Sequence, residues 1–133
     1  MKRKPTKSLH STSASNQEAF GTEFVHFDFR YMSEEHTYNK ATNAHWPKLF
    51  LDLKQISSKS WASTMQNPRQ TRQGYEKLPQ DALNKPLPSC IPNDTKLDVI
   101  RVAGSNAARL IGYKNKSVFY VLWLDFDYSV YPH

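Results

Sequence analysis

The chain has 133 residues, 38% of them hydrophobic and 13% aromatic, enough for one domain with a modest aromatic core. Eighteen Lys/Arg against 12 Asp/Glu give a formal charge of +6, which favours an anionic partner: nucleic acid, an acidic protein or a phosphate-bearing ligand. No apolar run is long enough for a membrane span, no apolar stretch follows the N-terminal charges as in a signal peptide, and the single Cys90 excludes an internal disulfide and fits a cytoplasmic setting.

Residues 1–22 hold Lys2, Arg3, Lys4 and Lys7 against Glu18 alone, in a Ser/Thr/Asn-rich background. That composition predicts a disordered basic arm, because it cannot bury enough apolar surface to offset the entropy of ordering. Residues 23–133 then form one domain. From Phe24 to Tyr31 the chain alternates, with Val25, Phe27, Phe29 and Tyr31 on one face and His26, Asp28 and Arg30 on the other, which predicts a half-buried strand. Residues 33–43 are polar and read as a loop.

From Trp46 the period changes. Trp46, Leu49, Phe50, Leu53 and Ile56 share one helical face, with Lys48, Asp52, Lys54 and Gln55 outside it. Pro47 suits the first turn, Asn43 is the candidate cap, and the Ser57–Ser60 cluster ends the helix. Ser60 then caps a shorter helix carrying Trp61 and Met65. Residues 67–95 hold five of the eight prolines and show neither period, so they read as a long Pro-rich loop.

Leu97–Ala103, Ala108–Lys114 and Ser117–Phe126 read as strands, with a short fourth at Tyr128–Tyr131. Their links are too short for parallel crossovers, so they form an antiparallel meander. In the third strand both faces are apolar, Val118, Tyr120, Leu122 and Leu124 on one and Phe119, Val121 and Trp123 on the other, which predicts a strand covered on both sides. Asn115-Lys116 marks a tight hairpin that needs left-handed backbone, which Asn tolerates, Gly104-Ser105-Asn106 the preceding turn, and Gly112 a bulge or a close approach. The fold class is α+β: an antiparallel meander with one or two helices packed on one face.

Arg101, Gly104, Arg109, Gly112, Val118, Phe119, Tyr120, Val121, Trp123 and Asp125 form a pattern of arginines and glycines followed by an aromatic strand. In this the chain resembles the RelE/ParE superfamily of small bacterial toxins. It is also similar to a group of uncharacterised bacterial and phage-borne proteins that share the C-terminal pattern GR-x-x-G…FY-v-x-W-x-D. The first resemblance implies an endoribonuclease acting on mRNA at the ribosome and neutralised by an antitoxin. It implies that Arg101 and Arg109 hold the scissile phosphate, with Tyr128, Tyr131 or His133 assisting proton transfer. The catalytic set is therefore Arg101, Arg109, Tyr128 and His133. The Pro-rich insert and the basic arm depart from the minimal toxins, and Tyr128 stands where the uncharacterised group tends to have His.

Arg69, Arg72, Tyr75 and Lys77 mix charge with an aromatic as nucleic-acid loops do, and Lys114 and Lys116 extend that candidate RNA-binding set. The competing reading of Arg101 and Arg109 is an ion pair with Asp98, Asp125 or Asp127 on a neighbouring strand. His26 and Asp28 share a strand face but make only two ligands, so no metal is expected. No phosphate loop, nucleophile elbow or HExxH motif is present, and no cofactor is expected. The second functional reading is a non-enzymatic protein, encoded by a phage or mobile element, that docks on a nucleoprotein or defence complex. In that reading the Pro-rich loop and the basic arm are the contact surfaces.

Overall fold

The computed structural model describes residues 23–35, 38–104 and 108–131. The expected arm at 1–22 and the residues His36, Ser105, Asn106 and His133 lie outside them. The described residues form a five-stranded mixed sheet with two helices, an α+β fold. In chain order the elements are β1 (His26–Asp28), α1 (His45–Ser57), α2 (Trp61–Met65), β2 (Tyr75–Leu78), β3 (Leu97–Val102), β4 (Ala108–Asn115) and β5 (Val118–Asp125). The sheet order is β1-β5-β4-β3-β2; each neighbouring pair from β2 to β5 is antiparallel, and β1 joins the edge parallel to β5.

The expected first strand stops early. The Asp28 carboxylate accepts from Arg30 N at 2.9 Å and from Arg30 Nε, and Met32 N donates to Phe29 O, so the chain turns after three strand residues. Val25 and Phe27 join the core, Phe29 is left exposed, and Tyr31 stacks on Tyr120.

In α1 the buried face is Leu49, Asp52 and Ile56 with Trp46 and Leu53 half-buried, whereas Phe50 faces solvent. The face is thus rotated from the one expected, exchanging Phe50 for Asp52. Asn43 does not cap it: the N-cap position is Ala44, without a side-chain bond, and His45 Nδ1 accepts from Thr42 N instead. Ser60 does cap α2, accepting from Ser63 N at 3.1 Å. Trp61, fully buried, donates from Nε1 to Ser117 O and ties α2 to the β4–β5 turn.

The Pro-rich stretch is not all loop. It contains β2, which pairs with β3 through Tyr75↔Ile100 to Leu78↔Leu97, and a 3-10 turn at Gln80–Ala82. Leu83, Leu87 and Ile91 from it cover the sheet face opposite the helices, packing against Leu97, Val99, Ile111 and Trp123. The expected fourth strand at Tyr128–Tyr131 is an irregular tail on that same face, with Val130 buried.

Gly112 marks a bulge. Ile111 pairs with Trp123 but Gly112 with Val121, so Leu122 is the extra residue. A Cβ on Gly112 would lie 2.0 Å from Tyr120 O. The bulge reverses the alternation of β5, so Leu122 and Trp123 both pack in the second cluster, and Ser33 N takes the Leu122 carbonyl at 2.8 Å. Within the expected Asn115-Lys116 turn, the residue with positive φ is Lys116, at 57°.

Candidate functional site

Strand register sets the arginines side by side. Arg101 on β3 pairs with Arg109 on β4, and Arg109 with Asp125 on β5. Their parity matches Val99, Ile111 and Trp123, so the row Arg101–Arg109–Asp125 lies on the sheet face away from the helices. Both guanidinium groups are inside the protein, Arg101 at 6% exposure and Arg109 at 1%. Arg101 Nε donates to Arg69 O, and its Nη2 lies 4.0 Å from Glu76 Oε2.

Arg109 sits between two tyrosine rings, 4.0 Å from the centre of Tyr128 and 4.7 Å from that of Tyr131. Ring faces attract a desolvated cation most strongly where water is excluded. Its Nε and Nη2 meet no hydrogen-bond acceptor. Burial pulls this guanidinium below its ordinary pKa, and Asp125, Tyr128 and Tyr131 oppose the shift.

Asp125 holds the two tyrosines in place. Its Oδ1 accepts from Asp127 N and Ser129 N, and its Oδ2 from Val130 N at 3.2 Å and Tyr131 N at 3.3 Å. One carboxylate thus folds residues 126–131 back over β4. Burial pushes the Asp125 carboxyl up, and the N–H bonds from Tyr131 and Val130 pull it back. Tyr128 takes a positive φ of 61° to make the fold-back.

The sequence-derived catalytic set is therefore brought together in three of its four members, Arg101, Arg109 and Tyr128, with His133 outside the described residues. The arrangement is closed. A phosphate could reach Arg109 only by displacing Tyr128 and Tyr131, so what the cluster does as it stands is cross-link the tail to the sheet.

The nucleic-acid set divides. Arg72 Nε donates to the fully buried Asp52 at 2.8 Å, and Arg69 lies 3.5 Å from Glu76. Tyr75, Lys77 and Lys114 gather on the helix-facing side around Asp98, where Lys77 Nζ is 3.5 Å from Oδ1 and Lys114 also lies over the Trp61 ring. Burial pushes Asp98 up, while Tyr75, Lys77 and Lys114 pull it down. Burial first, and Asp98 second, raise Tyr75 beyond the usual phenol range. Lys116 is exposed in the hairpin turn between β4 and β5.

Sequence reasoning missed Asp52. It accepts from Arg72, from Gln73 Nε2 at 2.8 Å and from Gly104 N, joining α1 to the loop before β2 and the end of β3. The signal available was an acid spaced three and four residues from Leu49 and Ile56. His26 bonds to Ser117 Oγ, and Asp28 is taken by Arg30. Among the described residues, no three His, Cys, Asp or Glu side chains gather as metal ligands, and no helix is long and apolar enough to cross a membrane. A hollow of about 570 Å³ beside the β2–β3 ends is lined by Lys77, Leu78, Pro79, Asp94, Lys96 and Leu97, with no hydroxyl, thiol or imidazole side chain among them. No family model, curated protein or solved structure matches the chain.

Proposed function

We propose that this chain is a non-enzymatic module that docks on a partner protein. The observation that carries this reading is the enclosure of Arg101 and Arg109, the residues on which ribonuclease chemistry would depend. Transition-state stabilisation needs donors aimed at where charge develops on a bound substrate. Here one guanidinium is held by Arg69 O and Glu76 and the other lies between tyrosines. The exposed lone thiol of Cys90 suits a reducing, cytoplasmic setting.

The second reading, a RelE/ParE-like mRNA endoribonuclease held by an antitoxin, is favoured by one observation: Arg101, Arg109 and Tyr128 do converge. One experiment separates the two. The full chain is incubated with mRNA and with translating ribosomes, and is expressed in growing cells beside Arg109→Lys. Docking predicts intact RNA and unaffected growth in both. Cleavage or growth arrest by the parent chain, lost in a folded Arg109→Lys variant, would replace docking with the ribonuclease.

A further inference from the structure

We infer that the outer face of α1 is the docking surface, and that its occupant is an acidic amphipathic helix of a partner protein. This deepens the docking reading and rests on it. Helix geometry places Pro47, Phe50, Leu51 and Lys54 in one diamond, because residues three and four apart are neighbours on the surface. All four are exposed, Phe50 at 64% and Leu51 at 44%. Two adjacent large apolar side chains on the solvent side of a helix already packed on its other face constitute a second apolar seam. Among the described residues, the other exposed large apolar side chains, Phe24, Phe29 and Met65, lie outside α1.

Charge selects the occupant. Lys54 is exposed within the diamond, and the exposed Lys48 borders it three residues before Leu51, its stem reaching toward Gly104. The helix's only acid, Asp52, is fully buried and engaged by Arg72, Gln73 and Gly104 N. The exposed charges of α1 are therefore all cationic and lie in or beside the apolar pair. Residues 1–22 carry Lys2, Arg3, Lys4 and Lys7 against Glu18, the same sign as this face. A second copy would oppose lysine to lysine, which costs affinity. A phosphate backbone would use the lysines and leave Phe50 and Leu51 in water. A partner helix with Leu or Ile along one stripe and Glu or Asp beside it satisfies both halves.

The test uses the isotopically labelled full chain and two synthetic amphipathic peptides with the same Leu stripe, one flanked by Glu and one by Lys. The Glu peptide should shift the amide signals of residues 48–54, and the Lys peptide should not. Phe50→Ser with Leu51→Ser should weaken binding by about tenfold or more. Lys48→Glu with Lys54→Glu should weaken the Glu peptide by about tenfold and confer binding of the Lys peptide. All four substitutions change exposed side chains, so unfolding midpoints should stay at the parent value, which separates lost binding from lost fold. Equal binding of both peptides, shifts mapping elsewhere, binding of oligothymidylate through Phe50, or a parent dimer abolished by Phe50→Ser would each overturn the inference. Failure here with intact RNA in the cleavage assay removes this surface alone, whereas RNA cleavage removes the docking reading itself.

Discussion

Replacing Gly112 with Ala should be among the most damaging single changes in this sheet. The added Cβ would lie 2.0 Å from Tyr120 O, 2.9 Å from Tyr120 C and 3.1 Å from Val121 Cα, all backbone atoms that no rotamer change can move away. Ordinary contact requires the two strands to separate by about an ångström, comparable with the difference between a good hydrogen bond and none. The strands affected are β4 and β5, both interior to the sheet. Losing about two ladder bonds costs about 1 kcal/mol each. Loosening the Tyr113–Tyr120 stack, now 4.9 Å between ring centres, costs about 1 kcal/mol more. The expected loss is about 3 kcal/mol, or a fall in Tm of about 12 °C or more. Urea unfolding followed by tryptophan fluorescence measures it, since Trp123 lies beside the bulge. A loss under about 1 kcal/mol would refute the close approach.

Asp125→Asn turns one acceptor oxygen into a donor facing backbone N–H groups and should cost about 1–3 kcal/mol, with faster hydrogen exchange across 126–131; unchanged exchange would remove the latch. Arg72→Ala should cost about 3–5 kcal/mol in urea unfolding and at least as much as Asp52→Ala, because it leaves the fully buried Asp52 carboxylate without its cation, whereas after Asp52→Ala the half-exposed Arg72 can turn to water and Gln73 keeps Gln55 as a partner. Asp98 has a folded pKa above its unfolded value, so the fold holds that proton more tightly and this group's contribution to stability falls as pH rises through the range above 3.8. The difference in stability between Asp98→Asn and the parent, measured by urea titration from pH 3 to 6, should therefore vary with pH in the variant's favour. Tyr75 is also raised, so the parent should lose stability as pH climbs above 10.0 and Tyr75→Phe should lose less, by alkaline titration of the unfolding midpoint.

The three strands of the meander were readable because their links are short and their apolar runs continuous. Ser60 and Gly112 were readable for local reasons: a hydroxyl three residues before a free N–H, and a glycine inside a strand between Ile111 and Tyr113. What escaped depends on distant partners. Tyr75–Leu78 has no period of its own and becomes a strand only because β3 offers an edge about twenty residues later. Asp52 looked like a solvent residue because only the fold supplies Arg72 and Gln73. Tyr128–Tyr131 looked like a strand by composition, but Asp125 takes its N–H groups first. Strand register sets the two arginines side by side, but their burial comes from a tail whose course is set by one carboxylate, which nothing local in the sequence announces. The exposure of Phe50 followed from the same rotation of α1 that buried Asp52.

The parallel pairing of β1 with β5 sets an order on synthesis. The His26–Ser117 contact joins residues 91 positions apart, so the first strand waits for the last hairpin to leave the ribosome. At about 5–20 residues per second that interval is roughly 5–20 s. During it Val25 and Phe27 have no sheet edge to join, and the nascent chain carries an aromatic-rich segment that only the finished meander can shelter.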